Sequence, residues 1–293
     1  MVMTGGVFIG LAPIGLRLGL DELGPQAIAF WRYVFALPVL FLLVLVTQRR
    51  LPAKPNMFVI IAGTCFAVDI GLWHWSLTFT TVANATFLVN LGNICVGLTA
   101  WIFLKERPTW IWLVAVLVAM VGAAALSLGG GIDGKTDIRG DLLALCAAVL
   151  VSGYMVASKV ARRTLTGMEA IFWLTAVEIV VAGLMVIGFR ESFFPGELSG
   201  FAVPLFLGLA VQVCGQGLII TGLGHTPAAI AGVLVLVQPV VAAAISWRMF
   251  DEPLAPLQAG GGFLILLGIL ISQRGARQSG PAASQTAIKS FVD

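Results

Sequence analysis

The chain has 293 residues, 59% of them hydrophobic and only 11% charged, with a formal net charge of +3. Soluble domains carry about 25% charged residues, and a chain of this length cannot enclose a core that hides so much apolar surface. A soluble globular protein is therefore excluded, and the small positive excess is not a nucleic-acid footprint.

The sequence instead breaks into apolar runs of about 17 to 24 residues, the length that crosses roughly 30 Å of hydrocarbon at 1.5 Å per residue. In chain order these predict helices over 4–20, 27–47, 57–77, 81–104, 109–128, 139–159, 168–189, 200–222, 227–249 and 254–273. The cuts fall on breakers: Gly24-Pro25, Pro52 and Pro55, Arg107-Pro108, Gly129-Gly130-Gly131, Gly167, Pro195-Gly196, Pro227, and Pro253 with Pro256. The first run lacks a basic leader and a small-residue cleavage site, so it is expected to remain as a spanning helix. Short loops make successive helices antiparallel neighbours. Residues 274–293 turn polar and small and are expected to form a disordered cytoplasmic tail. The expected fold is an all-α integral membrane protein of ten transmembrane helices. Cys65, Cys95, Cys146 and Cys214 all fall inside the runs, without CxxC spacing. They read as small apolar residues, with no metal site or disulfide expected.

The chain writes one stretch twice. LTFTTVANATFLVNLGNICVGLTAWIFLKE, residues 77–106, lies without a gap on residues 223–252 at a shift of 146, with eight of thirty positions identical. Gly71/Gly217 and Gly122/Gly268 extend the register, while Phe30-Trp31 matches Phe172-Trp173 at a shift of 142. Two copies of one five-helix unit are expected, over 4–128 and 139–273. Lys and Arg then orient them: eleven fall on the side shared by both termini and five on the other, which places both termini in the cytoplasm. Five is odd, so the second copy enters the bilayer inverted, the pattern of alternating-access transporters.

GPQAIAFWRYVFALPVLFLL, then LKERPTWIWLVAVLVAMVGAAAL, then GHTPAAIAGVLVLVQPVVAAAISWRMFDEPLAPLQAGGGFLILLGILI resemble the EamA family of the drug/metabolite transporter superfamily across residues 5–273. In that family each repeat has a threonine- and alanine-rich fourth helix with a central proline, a glutamate at its end and a glycine-bearing fifth helix. The second copy fits with Thr226, Pro239, Glu252 and Gly268; the first departs, with Asn93 where Pro239 stands. Within the family the WHW segment and the asparagine-rich fourth helix are similar to YddG-type aromatic amino acid exporters. The resemblance implies a bacterial inner-membrane transporter, neither an enzyme nor dependent on a cofactor.

Polar side chains within a bilayer cost about 2.5–3.5 kcal/mol when charged at a helix centre, so their positions point inward. Thr86, Asn90 and Asn93 share one face of the fourth helix at i, i+4, i+7. Amides donate and accept at once, which suits a zwitterion; interhelical bonding worth about 0.6 kcal/mol per contact is the plain alternative. The third helix carries Asp69, Trp73 and His74, candidates to line a cavity, with interface anchoring the alternative for tryptophan. Trp75 reads as an anchor. Arg32 lies within vertical reach of Asp69, so either an ion pair or capture of a substrate carboxylate is expected. Glu178 sits mid-helix with no partner evident in sequence. Gln212 and Gln216 at i, i+4, Gln238 beside Pro239, and Tyr154 complete the expected cavity, with Pro13 and Pro239 as helix kinks. Glu106 and Glu252 are expected to organise loops. Gly260, Gly261, Gly262 and Gly268 with Gly122 allow close helix approach, and a homo-oligomeric seam is one further use of these faces.

The expected function is export of small organic metabolites, amino acids foremost. A membrane enzyme would need a motif such as HExxH or GxSxG, and a channel would need charge rings or a carbonyl filter; the sequence has neither. Without a P-loop, ATP does not drive transport directly. No carboxylate lies in the first helix, which argues against polyspecific cation/proton antiport and for facilitated or weakly proton-linked export of zwitterions.

Overall fold

Each apolar run becomes a helix, because backbone amides in hydrocarbon must pair within their own segment. The computed structural model describes residues 1–80, 82–129, 137–250 and 255–278. Among them, ten helices are long and apolar enough to cross a membrane: α1 Val2–Gly19, α2 Pro25–Gln48, α3 Met57–Ser76, α4 Asn84–Leu104, α5 Trp110–Leu128, α6 Ile138–Ala161, α7 Gly167–Phe189, α8 Leu198–Leu223, α9 Ala228–Phe250 and α10 Pro256–Arg274. The last continues as helix to Gln278, into the segment expected to be a tail. The remainder of that segment and Glu252 lie outside the described residues.

Local chemistry sets the helix ends. Asn56 caps α3 by accepting from the Val59 amide at 2.9 Å, Asp137 caps α6, and Thr166 with Glu169 forms a capping box on α7. Helices α2 and α9 have no cap of their own and borrow distant carboxylates. Glu191 accepts from the amides of Gln26 and Ala27, both at 2.9 Å, and Glu106 accepts from Ala228 at 2.9 Å. Burial pushes the Glu191 carboxyl above the usual carboxylate range, against the two amides that favour its charge. The helices ending at Gln48, Leu104 and Phe189 are closed by Arg49, Lys105 and Arg190 in the left-handed region, and a cationic residue at that position suits the negative helix end.

The packing keeps its pattern when α1–α5 are exchanged with α6–α10 in order. The neighbours α3/α6, α3/α7 and α4/α6 correspond to α8/α1, α8/α2 and α9/α1, while α5/α10, α2/α7 and α4/α9 map onto themselves. Helices α3 and α6 run antiparallel, since Gly140 at the start of α6 lies against Phe79 and Thr80 beyond the end of α3, while Asn56 bonds the carbonyl of Ala161. The pattern reaches single bonds: Trp31 donates its indole N–H to the Phe193 carbonyl, and Trp173 donates to that of Ala53 at 2.7 Å.

One correspondence is missing. The halves of α4 and α9 nearer the face that holds residue 1 (Gly92–Leu104 and Ala228–Val235) pack together, whereas the halves nearer the opposite face (Val82–Asn90 and Val237–Phe250) make no comparable contact. The bundle is therefore sealed between these helices on the N-terminal face and parted on the other.

Helices α5 and α10 form the tightest seam. A Cβ on Gly122 would stand 2.6 Å from the Gly261 carbonyl oxygen and 2.7 Å from the Ile265 nitrogen. Gly122→Val forces two backbones apart, an overpacking cost of about 1–3 kcal/mol. A melting temperature lowered by several degrees in detergent is expected from a thermal-unfolding scan, with no change for Gly260→Ala, which meets nothing within 4 Å.

Candidate functional site

Helix α8 is wound as a π-helix from Gly208 to Gln216, an uncommon winding that recurs at functional sites. It lies directly on α2: a Cβ on Gly208 would come within 2.8 Å of the Arg32 carbonyl oxygen. That approach brings the Gln212 side chain, fully buried, between two charged groups. Its Oε1 accepts from Arg32 Nε at 3.1 Å and Nη2 at 2.7 Å. Its Nε2 donates to Thr175 Oγ1 at 2.8 Å and to Glu178 Oε2 at 2.6 Å. The amide dipole thus relays the guanidinium to the carboxylate without direct contact. Arg32 also lies over the Tyr33 ring at 5.3 Å and the Phe66 ring at 6.0 Å, where the ring quadrupoles favour a cation.

Around this bridge lie buried polar atoms with no hydrogen-bond partner among the described residues: the hydroxyls of Tyr33 and Tyr154, Asp69 Oδ1, His74 Nδ1, Glu178 Oε1, and both amide atoms of Gln216. Tyr154 stands within electrostatic range of Glu178, Arg32 and Asp69 and faces Gln216, and its ring packs on Phe66 at 4.8 Å. Tyr33 senses the same three charges, and His74 senses Arg32. Leaving such groups unpaired costs about 1–3 kcal/mol each. The set draws on five helices, α2, α3, α6, α7 and α8, and is the candidate site of this structure.

The expected residues divide into two groups. Arg32, Asp69, His74, Tyr154, Glu178, Gln212 and Gln216 gather in the central cluster. The expected Arg32–Asp69 ion pair is not formed: Arg32 is committed to Gln212, and Asp69 has no hydrogen-bond or ion-pair partner among the described residues. Glu178 finds in Gln212 the partner the sequence left open. Asn90, Asn93 and Gln238 lie instead at helix breaks and Thr86 one turn before the break in α4, none of them bonded to the central bridge among the described residues. Trp73 is half-buried, its ring 5.3 Å from that of His74, and Trp75 is exposed, edge-on to Phe189 at 5.5 Å.

Helix α4 is interrupted at Leu91 and α9 at Leu236, almost the same place in the 146-residue register. In α9 the cause is Pro239, which has no N–H for the carbonyl of Val235. In α4 the equivalent residue is Asn93, whose Nδ2 donates back to the Asn90 carbonyl at 2.9 Å. The Cβ-less Gly92 beside it lies against the Ala148 carbonyl of α6. Helix α1 is broken at Gly10–Leu11, just before Pro13.

Tyr33, Thr175 and Phe66 were not singled out by the sequence. The chain has only two tyrosines, and both hydroxyls enter this cluster; that scarcity was the available signal. Thr175 precedes Glu178 by three residues and so shares its face.

On the sealed face, Lys159 of α6 pairs with Glu106 Oε1 at 2.7 Å and donates to the Thr226 carbonyl at 2.7 Å, while Glu106 caps α9 and Trp112 donates to the Ala229 carbonyl at 2.9 Å. Three elements are thereby tied to the start of α9.

Ten membrane-crossing helices enclosing buried, incompletely bonded polar groups beside helix breaks define a multi-pass membrane transporter. The chain belongs to the EamA-like transporter family, which matches residues 1–128 and again residues 138–273. Among its relatives are the uncharacterized transporter YwfM of Bacillus subtilis, 25% identical over 94% of each chain; a probable terminal-alkyne amino-acid exporter of Streptantibioticus cattleyicolor, 25% identical over 88% of this chain and 87% of that one; and the pseudopaline exporter CntI of Pseudomonas aeruginosa, 23% identical over 84% and 85%. A crystal structure at 20% identity superposes with a TM-score of 0.80 over 94% of this chain and 97% of that one, a likeness of fold.

Two outcomes are expected. Gln212→Leu removes the bridge and leaves Arg32 and Glu178 buried and unpaired, a loss of about 3–5 kcal/mol that should show as loss of folded protein in detergent. Lys159→Ala frees the start of α9. A cysteine placed at Leu234 in a cysteine-free background should then react about tenfold faster with an impermeant maleimide applied from the N-terminal face, a change equivalent to about 1.4 kcal/mol.

Proposed function

We propose that this transporter exports neutral amino acids across the bacterial inner membrane by alternating access, with both termini cytoplasmic. The observation that carries this reading is the buried pairing of Arg32 with Glu178 through Gln212, surrounded by unpaired hydroxyl, amide and carboxyl atoms. A site offering a cation, carboxylates and amides together, with no large excess of either charge, fits a zwitterion better than a cationic drug. Trp73 and Phe66 supply apolar area for an aromatic side chain. The relative named as an amino-acid exporter supports the same substrate class, while the one named for pseudopaline favours a second reading, export of another metabolite.

In this reading the two family-matched segments are inverted copies, and the sealed N-terminal face is the cytoplasmic gate. The interruptions in α4 and α9 are the bending points between states, and Gln216, Tyr154 and Tyr33 contact the guest. Thr86, Asn90, Asn93 and Gln238 line its path along the broken helices. Binding here does not call for an enzyme's reactive group.

The test is uptake of labelled tryptophan, phenylalanine and threonine into liposomes holding the purified protein. Saturable uptake is expected, with half-saturation raised about tenfold by Gln216→Leu, the loss of one or two hydrogen bonds. Uptake of none of the three would remove the amino-acid assignment and direct the search to other metabolites.

A further inference from the structure

The N-terminal face carries cations that the fold leaves unanswered. Among the described residues its carboxylates are Glu106 and Glu169, and both are taken. Glu106 pairs with Lys159 at 2.7 Å, and Glu169 pairs with Arg50 at 3.1 Å while accepting from the Ala53 amide at 3.0 Å. Arg162 turns inward and donates to the carbonyls of Ile220, at 3.2 Å, and Leu165. The other described cations of this face have no side-chain hydrogen bond or ion pair among the described residues, and they fall into two sets. Lys105 and Arg107 sit on the loop after α4, and Arg274 ends α10. Arg49, Lys54 and Arg163, all exposed, sit on two loops that are bonded to each other.

Those loops are residues 49–56, between α2 and α3, and residues 162–166, between α6 and α7, one from each family-matched segment. Gln48, beside Arg49, donates to Thr166 Oγ1. Asn56, two residues after Lys54, donates to the Ala161 carbonyl at 3.2 Å and to Thr164 Oγ1 at 2.8 Å, and Thr164 follows Arg163 directly. Trp173 of α7 holds the residue before Lys54 by donating to the Ala53 carbonyl at 2.7 Å. Like charges gathered in this way repel one another unless an anion lies among them. The first loop is also apolar: Leu51 is 71% exposed and Met57 67%, and exposed Phe58, Ile60 and Ile61 continue from Met57 down α3. Cations set above an apolar strip at the membrane boundary match the two parts of one molecule, a phosphate carried on acyl chains.

We infer that the α2–α3 and α6–α7 loops together form a binding site for an anionic phospholipid, its phosphate among Arg49, Lys54 and Arg163 and its acyl chains along Leu51 and the exposed strip of α3. The lipid comes from the leaflet on the N-terminal face. The site is separate from the central cluster and does not depend on what the protein carries. A lipid seated there bridges the two family-matched segments at the ends of α2 and α7, the helices that bear Arg32 and Glu178. A mere excess of Lys and Arg over the whole face would attract anionic lipid without choosing a place, whereas the bonded loops hold three particular cations together.

The test is native mass spectrometry of the purified full chain in detergent, titrated with dioleoyl-phosphatidylglycerol and, in parallel, with dioleoyl-phosphatidylcholine. The first phosphatidylglycerol should bind saturably and about tenfold more tightly than phosphatidylcholine. Removing the three charges of the site together, with Arg49→Asn, Lys54→Gln and Arg163→Gln, should weaken that first adduct by about a hundredfold, roughly fivefold per cation. Asparagine suits the left-handed backbone of residue 49. Removing three charges elsewhere on the same face, with Lys105→Asn, Arg107→Gln and Arg274→Gln, should change it by no more than about twofold. Glycerol 3-phosphate at millimolar concentration should not displace the lipid. Equal binding of the two lipids by the unaltered protein overturns the inference, as does an equal loss in the two triple variants, which would give the attraction to the face as a whole. Displacement by glycerol 3-phosphate overturns it too, since the site would then take a soluble phosphate. The comparison of lipids needs no variant, and Lys54→Gln alone gives a loss of about fivefold to read if the triple variant does not fold.

Discussion

A charge set deep in a membrane protein must find its opposite inside the fold, and here a single amide carries that obligation. Gln212 holds Arg32 on one side and Glu178 on the other, so three helices are tied at their centres by groups that cannot be hydrated without opening the bundle. Direct contact between guanidinium and carboxylate would form a stronger pair and a closed one. Interposing an amide lengthens the pair, leaves Glu178 Oε1 unused and keeps the neighbouring hydroxyls unbonded. The bundle is thereby tied through its interior while those atoms stay unbonded.

The packing around the site is of two kinds, continuous at one seam and interrupted at another. At the α5/α10 seam, backbone meets backbone at Gly122 and Gly261, which leaves no room there for a further atom. Helices α4 and α9 are broken midway, and only one pair of their halves is in contact. Polar ties at the sealed face converge on the first turn of α9 through Glu106, Lys159 and Trp112. In the proposed alternating access, a continuous seam beside two interrupted helices is a division of labour that lets one face part while the other closes.

The span boundaries were legible because bilayer thickness sets run length, and Gly24-Pro25 or Arg107-Pro108 then punctuates each run. The polar residues of the central cluster were legible for a related reason: Arg32, Asp69, Glu178 and Gln212 are too costly in lipid to point outward. Their pairing was not. Arg32 and Asp69 are close along the first copy, and helical geometry alone favoured a bond between them; the π-winding of α8 delivered Gln212 to Arg32 instead. The contact that accompanies that winding, Gly208 against the α2 backbone, joins residues far apart in the chain and has no local residue signature. The break in α4 was hidden for the opposite reason. In sequence Asn93 only marks the absence of a proline, whereas in the structure its side chain bonds backward to Asn90 at a similar interruption.

That last difference gives the two bent helices unlike memories. The joint in α9 is written into covalent structure, because Pro239 can never supply the absent N–H. The joint in α4 is held by one side-chain hydrogen bond, which competes with the ordinary backbone ladder and can be exchanged for it at little cost. One arm is permanently hinged and the other is hinged by choice. In the proposed alternating access, two halves with nearly the same architecture therefore need not share a resting shape, and the cycle built from them has a preferred place to wait.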